Sequence, residues 1–107
     1  MDFIERRKHV RYRCEVSVEV RVINEPDSHH GTLADICLGG CYVSLVSPLP
    51  AGTNVQLSFQ VQESPTVLSG KTVTSLPGSG MGIEFTGPAD GDSTSRLQAL
   101  IHLLETG

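Results

Sequence analysis

The chain has 107 residues, 38% of them hydrophobic, and a formal net charge of −4 at neutral pH. That is the length of one domain, and no stretch is charged or repetitive enough to remain disordered. Apolar runs reach only a few residues, which excludes a membrane-spanning helix and predicts no membrane insertion.

The first residues, MDFIERRKH, carry acidic and basic groups where a secretory signal would carry a long apolar core, so the expected location is the cytoplasm. Three cysteines in a cytoplasmic chain are expected to be free thiols rather than a disulfide framework. Five of the eight basic side chains fall within residues 6–13 (RRKHVRYR), whereas residues 14–107 hold three basic and ten acidic groups, a net −7. Binders of long nucleic acids are usually basic overall and spread that charge across a face. One compact positive patch on an acidic body suits a small anion better, and no nucleic-acid polymer is expected as partner.

Residues 14–22, CEVSVEVRV, alternate with period two through Val16, Val18, Val20 and Val22, which predicts a half-buried strand. Residues 24–31, NEPDSHHG, read as a polar connection. Residues 32–37 and 41–46 read as two strands broken at Leu38-Gly39-Gly40, and 47–52 as a turn. Alternation resumes at 54–61 through Val55, Leu57, Phe59 and Val61. Residues 63–65 should turn the chain into a fifth strand, 66–76, interrupted near Gly70. A further turn at 77–80 leads to a strand at 81–85. From Thr94 onward, Leu97, Leu100, Ile101 and Leu104 recur at helical spacing, with Asp92 or Ser93 available as the N-cap. The predicted fold is all-β, a six-stranded antiparallel barrel of the split-barrel type with a C-terminal α-helix, because closure removes exposed strand edges. The helix's apolar stripe is expected to pack on the barrel.

Two short patterns carry candidate chemistry. Arg7 and Arg11 stand four apart beside Arg6 and Lys8, just ahead of the first strand. Guanidinium forks match phosphate oxygens and also guanine's O6 and N7 edge. The second pattern is Asp35-Ile36-Cys37-Leu38-Gly39-Gly40, where Asp35 and Cys37 should share one face at a strand end. A carboxylate there can accept from guanine N1–H and N2–H₂, which adenine cannot offer, and Gly40 would let a ligand approach the backbone. Taken singly, an R-x-x-x-R is common by chance, and D-x-C-x-x-G is most simply a strand end followed by a glycine turn.

In this order, Arg7-Lys8-His9-Val10-Arg11 followed by Asp35-Ile36-Cys37-Leu38-Gly39-Gly40 resembles the paired signature of the PilZ family, R-x-x-x-R and [D/N]-x-S-x-x-G. Gly82-Ile83-Glu84-Phe85 also resembles that family's late strand. The resemblance spans nearly the whole chain. It implies a barrel over 14–107, preceded by a flexible arginine-rich segment, 1–13, that folds over the bacterial second messenger cyclic di-GMP. On that basis the ligand-binding residues are Arg6, Arg7, Arg11, Asp35, Cys37 and Gly40. Arg6, placed directly before the first motif arginine, implies two ligands bound as an intercalated dimer. The implied role is a standalone receptor, without cofactor or catalysis, whose ordered N-terminal segment presents a new surface to a downstream partner protein. The alternative is a degenerate PilZ-like protein-interaction domain with weak or no nucleotide binding.

Two departures bear on the site. Cys37 replaces the family's serine, and losing one neutral hydrogen bond costs about 0.5–1.5 kcal/mol. Ser75 lies near a place where some relatives carry an aromatic residue, and the chain has no tryptophan.

Other constellations are weaker. A Cys37 nucleophile paired with His29 or His30 would lack an oxyanion-type glycine loop ahead of a helix, so no enzyme is expected. The spacings of His29, His30, Cys37 and Cys41 do not match a zinc site. Of the five aromatics, Phe3, Tyr12, Tyr42, Phe59 and Phe85, the last two occupy apolar alternating positions, leaving too few to stack a single strand of nucleic acid.

Overall fold

The computed structural model describes residues 10–88 and 91–106. Six antiparallel strands, β1 (Tyr12–Val22), β2 (Ser28–Ile36), β3 (Gly40–Ser44), β4 (Asn54–Val61), β5 (Ser64–Leu76) and β6 (Gly80–Pro88), are followed by helix α1 (Gly91–Thr106). The strands close into a barrel in the order β1-β2-β3-β6-β5-β4. The all-β barrel with a C-terminal helix is therefore the observed architecture.

Strand alternation builds the interior. Val18 and Val20 of β1, Val55, Leu57, Phe59 and Val61 of β4, and Met81 and Ile83 of β6 all point inward and are buried. At the end where β1 begins, Leu97, Leu100 and Ile101 of α1 complete this core. The helix thus covers the barrel, as its apolar stripe implied. Ser93 is buried in the first helical turn, where its hydroxyl accepts the Val67 N–H at 3.0 Å and ties the helix to β5. Farther along the helix, Glu105 accepts a hydrogen bond from the Tyr12 hydroxyl at 3.1 Å.

Several boundaries differ from the sequence reading, each for a non-local reason. Residues 28–31 belong to β2, where His29 and His30 pair with Val20 and Glu19. The hairpin after β4 needs only Gln62 and Glu63, both at positive φ, so Pro65 already lies in β5. Left-handed dihedrals at both central residues suit the right-handed strand twist of a two-residue hairpin. Gly70 does not interrupt β5; the strand passes through it with register shifts at Ser69/Gly70 and Thr72/Thr74. The helix starts at Gly91, upstream of both expected caps. Tyr12 and Arg13, expected in the flexible segment, are already part of β1.

The buried thiol of Cys41 supplies a measurable consequence. Burial first, and the Asp35 charge second, push its pKa far upward. The unfolded chain ionises this thiol above roughly pH 8.5–9, whereas the folded chain does not, so folding stability must fall as pH rises through that range. Chemical denaturation from pH 7 to 10.5 should show a loss of up to about 1.4 kcal/mol per pH unit beyond that threshold. Cys41→Ala should show a shallower decline, and identical slopes would contradict the assignment.

Candidate ligand site

The site is built at the end of the barrel where β1 begins and β2 finishes. Both strands carry an irregularity there, β1 between Arg13 and Val16 and β2 between Leu33 and Asp35. A bulge adds a residue to one strand and re-aims the side chains beyond it. In β2 the result is that Leu33 and Ile36 are both buried, although an unbroken alternation would point them to opposite faces. Asp35 is left half-exposed between them.

Arg11 immediately precedes β1 and reaches across to Asp35, with Nη1 2.9 Å from Oδ1. The two side chains retain 32% and 30% of their accessible surface. A pair this exposed contributes about 0.2–1 kcal/mol to stability, so holding the fold together does not depend on it. Arg13 is the cross-strand partner of Asp35 on β1, and its exposed side chain adds a second cation beside the carboxylate. Sequence reasoning missed Arg13 because its place opposite Asp35 depends on strand register.

Cys37 and Gly40 are placed differently from expectation. Strand β2 ends at Ile36, and the Cys37 N–H then donates to the Gly40 carbonyl at 2.9 Å, closing a tight turn. Alternation stops there, so Asp35 and Cys37 do not share an exposed face: Cys37 retains only 6% exposure. Gly40 is buried as well, and a Cβ on it would collide with the main-chain carbonyl of Ile83 on β6. Its lack of a side chain is required by the approach of two strands, not only by any ligand. The turn is strapped to β6 by the Phe85 N–H, which donates to the Gly39 carbonyl at 2.9 Å. Leu38, at the tip of the turn, lines an apolar cavity of about 280 Å³ with Leu68, Phe85 and Leu97. Arg6 and Arg7 lie outside the described residues.

The rival constellations separate in space. His29 and His30 sit at the start of β2, so the extended strand puts them roughly 20 Å or more from Cys37. Among the described residues, no three His, Cys, Asp or Glu side chains converge to hold a metal ion. No helix among them is long and apolar enough to cross a membrane.

Fold and motif together define a class. The PilZ domain profile matches residues 5–103, and the chain belongs to the PilZ domain family. Among solved structures it resembles the PilZ domain of CeSA from a cellulose-synthesizing bacterium, at 20% identity and a TM-score of 0.70, covering 90% of this chain and 98% of that one. It also resembles the PilZ domain of YcgR from Escherichia coli, solved with cyclic di-GMP, at 16% identity and a TM-score of 0.75, covering 94% and 92%. A third similar structure is the Bacillus subtilis inhibitor of motility MotI/DgrA, at 19% identity and a TM-score of 0.74. That match covers 94% of this chain but only 52% of MotI/DgrA, so the chain spans about half its length. The search of curated sequences found no match.

Two substitutions separate binding chemistry from architecture. Arg11→Ala should cost no more than about 1 kcal/mol in chemical denaturation, because it removes one half-exposed ion pair. Gly40→Ala should cost about 2 kcal/mol or more, because a main-chain carbonyl cannot swing aside as a side chain can. Equal costs would contradict this division of roles.

Proposed function

We propose that this protein is a receptor for cyclic di-GMP and performs no catalysis. The observation that carries the reading is the half-exposed Arg11–Asp35 pair at one end of a PilZ barrel. The PilZ domain of YcgR, which shares the fold, was solved with that ligand.

The chemistry follows from what the two groups already do for each other. Arg11 offers a planar fork of donors and Asp35 offers two acceptor oxygens. A guanine nucleotide supplies complementary partners for both: phosphate oxygens or the O6/N7 edge for the guanidinium, and N1–H with N2–H₂ for the carboxylate. Breaking the exposed pair forfeits at most about 1 kcal/mol, whereas each hydrogen bond to a charged group returns about 1.5–3 kcal/mol. Exchange of partners is therefore favourable. Adenine has no paired donors at the matching edge, so Asp35 selects guanine.

Arg6 and Arg7 would bring further cations to the same ligand, and the PilZ resemblance implies two stacked cyclic di-GMP molecules where an arginine stands at position 6. Cys37 and Gly40 act chiefly by setting the turn that holds Asp35 in place, since both are buried. Ligand bound across Arg7 and Arg11 would draw residues 1–10 onto the barrel and create a surface for a partner protein. The setting implied is the bacterial cytoplasm, where this messenger acts.

Isothermal titration with cyclic di-GMP, with cyclic di-AMP and GTP as controls, tests the proposal. Selective binding, lost in Arg11→Ala and relaxed toward cyclic di-AMP in Asp35→Ala, is the expected result. A stoichiometry of two ligands per chain would support the role given to Arg6. No heat and no thermal shift at high ligand concentration would overturn the receptor reading in favour of a protein-interaction domain.

A further inference from the structure

Asp35 has a second cross-strand neighbour. On β3 its register partner is Tyr42, and the next pair inward, Ile36 with Cys41, is buried. Directly opposed residues of antiparallel strands point to the same face, with Cα atoms about 5 Å apart. Tyr42 therefore stands on the outer face, beside the carboxylate held by Arg11.

Tyr42 is half-exposed, and glycines flank it. Its register partner on β6 is Gly82, and its neighbour two residues back along β3 is Gly40. Neither has a side chain to cover the ring. Gly80 lies beneath it, where a Cβ would come within 2.8 Å of Tyr42 Cε2. The phenol is fixed rather than free, because its hydroxyl shares a 2.8 Å hydrogen bond with Ser79 Oγ. The outer row thus runs Arg13, Asp35, Tyr42 and Gly82: a cation, an acceptor, an anchored aromatic and a glycine covered by the Thr74 side chain of β5.

We infer that Tyr42 is the stacking platform for the purine whose edge Asp35 reads, and so a further binding residue of the site, one that sets affinity while Asp35 sets the choice of base. This rests on the receptor reading above. Aromatic side chains hold bases through the π-face, and a ring immobilised at its far end loses little freedom on binding. Asp35 supplies the choice of guanine over adenine, while Tyr42 supplies affinity for a flat purine of either kind. The aromatic partner that the absence of tryptophan withholds is thereby supplied from β3.

Tyr42 and Tyr12 are the only tyrosines and there is no tryptophan, so a Tyr12→Phe background leaves Tyr42 as the sole strong ultraviolet emitter. Titrating that variant with cyclic di-GMP should quench its emission along the same isotherm that calorimetry records. Tyr42→Leu should weaken binding by roughly tenfold or more while the preference for cyclic di-GMP over cyclic di-AMP persists. Tyr42→Phe keeps the ring and should stay within about threefold of the parent. Thermal melting of each variant checks that it is folded. Unquenched emission, or equal affinity in Tyr42→Leu and Tyr42→Phe, overturns the assignment while the receptor reading stands. Absence of binding by the wild-type chain overturns both.

Discussion

The short strand β3 is the constraint on which this end of the molecule depends. Its five residues must pair with β2 on one side and β6 on the other, or the barrel does not close. Gly40 meets β6 so closely that no side chain fits there, and the Asp35–Gly40 turn is held by main-chain bonds from Cys37 and Phe85. Because those bonds involve only backbone, the turn keeps its shape whatever Asp35 is bonded to. The acceptor is thus presented on a rigid frame while its partner can change.

Electrostatics favours such exchange. The barrel beyond residue 13 carries a net −7, so the cations beside Asp35 stand out against an acidic body. The Arg11–Asp35 contact is half-exposed and weak in energetic terms, yet it orients both groups before any ligand arrives. Asp35 also acts inward: its charge adds to burial in raising the pKa values of Cys14 and Cys41. Those thiols remain protonated and unreactive near neutral pH, which fits packing rather than chemistry.

Much of the barrel was legible from alternation alone. Residues 14–22 and 54–61 carry an uninterrupted period of two, and β1 and β4 lie where that pattern puts them. The failures occurred where pairing with a distant strand overrides local composition. His29 and His30 look like loop residues, yet β1 recruits them into β2. Asp35 and Arg11 were legible as a pair of motifs, and the structure joins them. Burial of Cys37 was not legible, because it follows from the chain leaving the strand one residue earlier than alternation suggests. Tyr42 was legible as an aromatic but not as a neighbour of Asp35, since only the β2–β3 register brings the two together.

The most direct test maps the ligand onto the backbone. In an amide ¹H–¹⁵N spectrum titrated with cyclic di-GMP, the largest shifts should fall on residues 10–13, 35–40 and 42. Amides at the far end of the barrel, such as Val46 and Leu76, should move little. Shifts centred on Val46, Val73 and Leu76, with residues 10–13 and 35–40 unmoved, would contradict the central claim that the Arg11–Asp35 end receives the ligand.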